Sequence, residues 1–373
     1  MSLAAPHAEL LAIVKADAYG HSLALCAPAV VRAGARWLGV TSVEEGLSAR
    51  ARCPQARILV IGGVFPGQGA DLLRHNLTPV VWEHVQFDEL ETAAHAACVP
   101  AASLAVQLEI DTGMSRQGAS PHALPQILAR FTPASPLRLE AVMTHLFAAD
   151  EADGVVTADQ LARLDQALSL AASAGLYADW LNVGGSAALL AGLASPIAAL
   201  AARHGMRAMI RPGLALYGLI PPYDPSFDTP EPPTLAAARN ALRPVLAWKT
   251  RVASLRSVPA GAVVGYNGTF VATEPLRLAL LPAGYADGLD RRLGNRFSLL
   301  AGGQRAPLAG RVSMDQAVLD VTGIPGLEPG SEVVILGSQG DQTLTAFDHA
   351  EASGTIPWEV FTRIGSRVPR FAV

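Results

Sequence analysis

The chain has 373 residues, of which half are hydrophobic and 16% charged, a composition that allows one large domain or two ordinary ones and excludes a disordered chain. Lys and Arg number 28 against 32 Asp and Glu, a net charge of −4 with a pI near 6.1. That balance leaves no electrostatic footprint for nucleic acid or an anionic membrane, so a small-molecule partner is expected. The mean hydropathy of +0.30 is high, but the long uncharged run Asn182 to Ala202 is broken by Gly184, Gly185, Ser186, Gly192, Ser195 and Pro196 and makes a poor bilayer span. The first residues carry no basic lead and fit no signal peptide. Cys26, Cys53 and Cys98 are far apart and without metal or redox spacing, so a reducing cytoplasm is the simplest setting and no metal site is expected.

From Glu9 to about Leu219 a short apolar run, a polar or Gly-rich turn and an Ala/Leu-rich helical stretch alternate. Strands are expected at Leu10–Val14, Trp37–Thr41, Ile58–Ile61, Thr78–Trp82, Leu104–Ile110, Leu139–Thr144, Trp180–Val183 and Met209–Leu216. Eight strands alternating with helices in this length predict a parallel (β/α)8 TIM-type barrel over residues 1–220. Residues 221–240 open with Pro221, Pro222, Pro225, Pro230, Pro232 and Pro233 and read as a linker or surface loop. Residues 241–373 turn to short β-type runs punctuated by Gly and Pro, at Val245–Val252, Val263–Tyr266, Arg277–Leu281, Val312, Ala317–Val321 and Glu332–Leu336. They predict a mainly β C-terminal domain.

Chemistry in such a barrel belongs at the C-terminal ends of the strands. The first strand runs straight into Lys15, which taken alone could simply snorkel to solvent. The fifth delivers Glu109, Asp111 and Arg116, and the sixth His145. The seventh ends in Gly184-Gly185-Ser186 and the eighth in Arg211-Pro212-Gly213, small residues whose backbone N–H groups suit a phosphate. An amine nucleophile beside a phosphate site suits imine chemistry, with pyridoxal phosphate or with a phosphosugar.

The run Ala12-Ile13-Val14-Lys15-Ala16-Asp17-Ala18-Tyr19-Gly20-His21 resembles the cofactor-lysine signature of alanine racemases. Further motifs follow in the family's order: Asp111 to Arg116, Thr144 to Phe147, Arg211 to Gly218, Gly265 to Phe270, Gly284 to Gly288, Gly310 to Gln316, and Arg367 to Arg370. They span nearly the whole chain. The resemblance implies pyridoxal 5'-phosphate as cofactor, interconversion of L-alanine and D-alanine as activity, D-alanine for peptidoglycan as its use, and a homodimer that shares its active sites.

In the family's pattern Lys15 holds the cofactor through its amine and serves as base on one face of the amino acid. Tyr266 of the partner subunit is the base on the other. A phenol with an unperturbed pKa near ~10 needs positive charge nearby for that role, and the resemblance assigns it to Arg116, which also binds the substrate carboxylate. Arg211 matches the arginine facing the pyridine nitrogen, and His145 the histidine beside the ring. Tyr19, Ser186, Gly213 and Leu214 match phosphate contacts, the last two through backbone N–H. Met314 matches a carboxylate contact from the partner, while Tyr285, Asp315, Asp150, Arg291 and Arg311 match supporting positions near the substrate channel.

The family often carries a carbamylated lysine where this chain has Glu109; a permanent carboxylate there is expected to contact and pin Arg116. Gly185 stands in place of an asparagine, and Ser366 in place of a tyrosine that reaches the phosphate. A strand and helix usually precede the lysine motif, where this sequence has fourteen residues, which opens the reading of a catalytically impaired cofactor-binding homologue. A broader amino-acid racemase, a non-catalytic pyridoxal-phosphate carrier and a related decarboxylase also compete with an alanine racemase. The carrier lacks a second domain, and the decarboxylase's cysteine-and-aspartate motifs are not apparent here.

Overall fold

The computed structural model describes residues 7–151, 154–220 and 232–373. Eight parallel strands close into a barrel: β1 (Glu9–Ile13), β2 (Trp37–Val40), β3 (Arg57–Val60), β4 (Thr78–Val81), β5 (Leu104–Glu109), β6 (Leu137–Thr144), β7 (Trp180–Val183) and β8 (Arg207–Ile210). Closure comes from β8 pairing with β1, where Glu9 faces Met209 and Leu10 faces Ile210. These strands read as continuous apolar runs because both faces are covered, one by the barrel interior and one by helices. The 19-residue helix Val155–Ser173 illustrates the outer layer: Thr157, Gln160, Leu164, Ala167, Leu168 and Ala171 recur at helical spacing and are buried.

The eighth strand is shorter than its expected span to Leu216. Pro212 removes a ladder donor, and the chain turns through Arg211-Pro212-Gly213 into a 3-10 turn at Leu214–Tyr217. Of the expected linker, residues 221–231 lie outside the described residues. Pro233–Ala241 is a helix rather than a loop, because proline is tolerated in a first turn and Leu235 and Ala238 find a buried cluster with Leu190 and Ala215.

Two compact units divide the chain: the first runs to Arg243 apart from Tyr19–His21, and the second takes Tyr19–His21 together with Pro244–Val373. The second unit contains β9 (Trp248–Arg251), β10 (Ser254–Val258), β11 (Val263–Val264), β12 (Phe270–Val271), β13 (Leu276–Leu281), β14 (Ser298–Ala301), β15 (Gln304–Pro307), β16 (Ala317–Asp320), β17 (Glu332–Gln339) and β18 (Gln342–Leu344). They form a sheet ordered β10-β13-β16, the hairpin β11-β12, and a sheet ordered β15-β14-β17-β18 with β9 also on β17. Two helices, Ala346–Ser353 and Pro357–Thr362, accompany them. Val312 belongs to no strand, and the run expected through Tyr266 stops at Val264, since Gly265 has φ 74° and Tyr266–Gly268 coils into a 3-10 turn. Among the described residues no helix is long and apolar enough to cross a membrane.

Gly39 in β2 packs closely against β1, the strand that leads to Lys15. A Cβ there would lie 2.5 Å from Ile13 Cδ1 and 2.6 Å from Leu11 Cδ2. Gly39→Ala should therefore cost about 1–3 kcal/mol through overpacking, read as a lower urea midpoint at unchanged slope.

Candidate active site

Lys15 begins where β1 ends, and the turn after it is left-handed. Ala16, Asp17, Ala18 and Tyr19 have φ of 52°, 52°, 56° and 54°, a conformation that costs about 1–2 kcal/mol per non-glycine residue. Local bonds hold it: Ala18 N–H donates to Val14 O at 2.9 Å, and Leu23 N–H to Asp17 Oδ1 at 2.6 Å. The end of β1 is tied to the last barrel turn, since Ile13 N–H donates to Pro212 O at 3.1 Å and the Tyr217 hydroxyl to Ile13 O at 2.9 Å. Burial, then repulsion from Arg116, push the Lys15 amine below its ordinary pKa, with Arg211 adding to that and Glu45 opposing it.

Arg211 is the most deeply held charge of the group. Its Nη1 donates to Asn182 O at 2.6 Å and Asn182 Oδ1 at 2.7 Å, its Nη2 donates to Thr144 O at 2.9 Å, and Nη2 also lies 3.5 Å from His145 Nδ1. Asn182 in turn donates through Nδ2 to Gln107 Oε1 at 2.8 Å, so a chain of amides runs through the barrel interior. Burial lowers Arg211 to about 10, which still leaves it charged at neutral pH. The same charge, after burial, helps push His145 down to about 3, with Arg116 and Lys15 contributing; the imidazole is neutral.

Asp111-Thr112-Gly113 builds the loop that carries Arg116. Asp111 Oδ1 accepts from Gly113 N–H at 2.9 Å and Ser115 N–H at 3.1 Å, an Asx-type turn. Gln160 Nε2 fastens its base by donating to Thr112 Oγ1 at 2.9 Å and His145 O at 3.0 Å. Glu109, Asp111, Arg116, Gln117, Thr144 and His145 line one recess.

The expected contact between Glu109 and Arg116 does not form. The Glu109 carboxylate accepts from Gln117 Nε2 instead, and Gln117 also donates to Ile61 O at 2.9 Å. Arg116 is one residue away in sequence but on the exposed side of the loop, and its guanidinium makes no hydrogen bond or ion pair among the described residues. Burial raises the Glu109 pKa, opposed first by Arg211, then by the Gln117 bond and by Arg116. Glu109 thus reaches both arginines through space and pairs with neither.

Beyond β7 and β8 two short helices start side by side. Ser186 Oγ accepts from Gly213 N–H at 2.9 Å and Ala215 N–H at 3.1 Å, so the Gly213 donor is already engaged by the serine expected beside it. Leu214, the first residue of its 3-10 turn, leaves its N–H unpaired among the described residues. Tyr19 is grouped with the second unit, and burial pushes its phenol up to about 12, which keeps it a donor at neutral pH.

The second unit brings Tyr285, Met314 and Asp315 together: Tyr285 N–H donates to Ser313 O and Ala286 N–H to Met314 O, both at 3.0 Å, while Asp315 pairs with Arg367 at 2.8 Å. A Cβ on Gly265, which precedes Tyr266, would lie 3.4 Å from Arg311 N, so the Tyr266 turn abuts the loop leading to Met314. Tyr266 is 69% and Met314 54% exposed. Sequence reasoning missed Asn182, Gln107, Gln117 and Glu45. The first two carried a signal, a polar residue inside an otherwise apolar barrel strand.

Two outcomes follow from this geometry. Asn182→Leu strips the side-chain acceptor Oδ1 from Arg211 and leaves Gln107 Oε1 buried without its donor, and should cost about 1–3 kcal/mol in urea unfolding. The folded protein holds His145 neutral to about pH 3 while the unfolded chain protonates it near 6.5. The associated stability is therefore complete above 6.5 and declines as pH falls from there toward 3. Unfolding measured at several pH values in that window should show the decline, and His145→Gln should flatten it.

Comparison with known proteins places this arrangement. The N-terminal domain of alanine racemases matches residues 1–221 and the C-terminal domain residues 245–372. The alanine racemase of Syntrophobacter fumaroxidans is 36% identical over 362 residues, which cover 97% of this chain and 90% of the relative. The solved structure of alanine racemase from Streptomyces coelicolor A3(2) superposes with a TM-score of 0.87 at 35% identity, covering 99% of this chain and 93% of that one. The alanine racemase of Bartonella henselae, solved with covalently bound pyridoxal phosphate, gives 0.83 at 25% identity over 100% of this chain and 94% of that one. With both domains matched over nearly the full length, this chain belongs to the alanine racemase family.

Proposed function

We propose that the chain is a pyridoxal-phosphate-dependent racemase that interconverts L-alanine and D-alanine with two bases, Lys15 and Tyr266 of the partner subunit. The observation that carries this reading is a lysine at the end of a barrel strand, its amine pKa lowered by burial and by Arg116 and Arg211. An amine so placed is a good nucleophile and base near neutrality. The donors present fit the cofactor: the Lys15 amine for its aldehyde, Arg211 for its ring nitrogen, and Ser186 and the unpaired Leu214 N–H for its phosphate. When bound, it supplies an electron sink that spreads the charge left at Cα when the proton departs.

The protein's own groups do the rest. Arg116, whose guanidinium has no partner among the described residues, holds the alanine carboxylate and sets Cα between the two bases. Arg211 keeps its proton at neutral pH and so offers the ring a hydrogen bond but no proton to keep. The Lys15 amine carries a proton to and from one face of Cα. The phenol of Tyr266 of the partner subunit does so on the other, with the backbone N–H of Met314 of the partner subunit completing the carboxylate site. Exposure of both residues in the single chain supports a homodimer that covers them. A cytoplasmic enzyme that supplies D-alanine for peptidoglycan fits three cysteines none of which is in a disulfide.

Incubation with pyridoxal phosphate and L-alanine in deuterated water tests the reading. The wild type should give a visible cofactor band and Cα-deuterated D-alanine, and Lys15→Ala neither. Tyr266→Phe should keep the band and lose about 10²–10⁴-fold of turnover in at least one direction; unchanged rates in both directions would sink the two-base assignment. A band without inversion in the wild type identifies a carrier or impaired homologue.

A further inference from the structure

The left-handed turn after Lys15 has an external anchor that neither the motif nor the proposed mechanism includes. Glu45 lies in the first turn of the helix Val43–Arg52, which Ser42 caps. One oxygen of its carboxylate, Oε1, accepts the Ala16 N–H at 2.7 Å, and the other, Oε2, accepts the Thr41 N–H at 2.8 Å. Thr41 directly follows β2, so a single carboxylate bridges the residue after the lysine to the end of the neighbouring barrel strand. We propose that Glu45 is a positioning residue for Lys15: its two-oxygen bridge locks the strained turn at Ala16 onto the end of β2 and thereby fixes where the amine is presented.

Three observations converge on this. Ala16, Asp17 and Ala18 hold a conformation that L residues avoid, and such a run persists only where its surroundings over-determine it. Ala16 cannot supply a side-chain bond of its own, so its amide depends on an outside acceptor. Both bonds are charge-assisted by the carboxylate that accepts them, the stronger class of backbone contact. The carboxylate also faces the lysine electrostatically. The charged and titratable groups around Lys15 are Arg116, Arg211 and Glu45, with His145 beyond, and Glu45 is the one that favours the protonated amine.

The inference rests on Lys15 being the cofactor lysine, and the test separates the two. Apoprotein is mixed with pyridoxal phosphate across a range of pH, and the borohydride-reducible adduct on Lys15 is followed in time. No adduct in the wild type refutes the cofactor reading and leaves Glu45 nothing to position. With a wild-type adduct in hand, Glu45→Gln should lower the alkaline plateau rate about tenfold to a hundredfold. It should also move the midpoint of the pH profile to lower pH, because the charge that favours the protonated amine is gone. Ser42→Ala, which weakens the same helix but leaves the carboxylate in place, should keep wild-type plateau and midpoint. Wild-type behaviour of folded Glu45→Gln overturns the proposal, as does a Ser42→Ala variant that reproduces its losses. Should Glu45→Gln fail to fold, amide exchange in the wild type decides: slow exchange at Ala16 and Thr41 supports the bridge, and fast exchange at both overturns it.

Discussion

A guanidinium inside a barrel of apolar strands is costly unless every nearby acceptor is turned toward it, and that requirement at Arg211 organises the site. Its acceptors come from the ends of two other strands: Thr144 from β6 and Asn182, through backbone and side chain, from β7. They converge because the strands pair in one register, with Met143 beside Asn182 and Asn182 beside Met209. A slip of one residue would turn Asn182 outward and leave the charge unmatched. Burial is the first cause of the shifts at Lys15, His145 and Glu109, and the Arg211 charge acts on each of them in the lowering direction.

Much of this is legible in the sequence because barrel strands buried on both faces read as uninterrupted apolar runs. Trp180–Val183 matches its expected span at both ends for that reason. Met209–Leu216 is overextended because the apolar run continues past Pro212, and periodicity alone cannot tell a strand from the 3-10 turn that follows. In the second unit, edge and hairpin strands such as Ser254–Val258, Gln304–Pro307 and Gln342–Leu344 are half polar and leave no apolar signature. The site residues that end a strand, Lys15 and Arg211, are visible by position. Those that act through another side chain are not. Gln117 takes Glu109 away from Arg116, and nothing in the spacing of these residues announces which of two neighbours a carboxylate will choose.

The two units divide the chemistry unequally. The barrel holds the half-buried Lys15 amine, the hydrogen-bonded and buried Arg211, and the exposed Arg116. The second unit presents Tyr266, Tyr285 and Met314 at its surface, on loops braced by backbone pairing. Gly284 shows how tightly those loops are drawn, since a Cβ there would sit 2.3 Å from Met314 O. Large exposed aromatic and thioether side chains on a rigid support suit a surface that another molecule covers.

The path of the chain just after the lysine motif sets a limit on modularity. Tyr19–His21 belong to the second unit: Gly20 O accepts from Arg370 Nε at 3.0 Å, and the His21 ring stacks 4.7 Å from that of Phe361. The polypeptide therefore visits the second unit within five residues of Lys15 and then returns to finish the barrel. No single cut in the chain yields two intact modules. A truncation after Arg243 would strip the second unit's support from Tyr19–His21, the segment that begins four residues beyond Lys15.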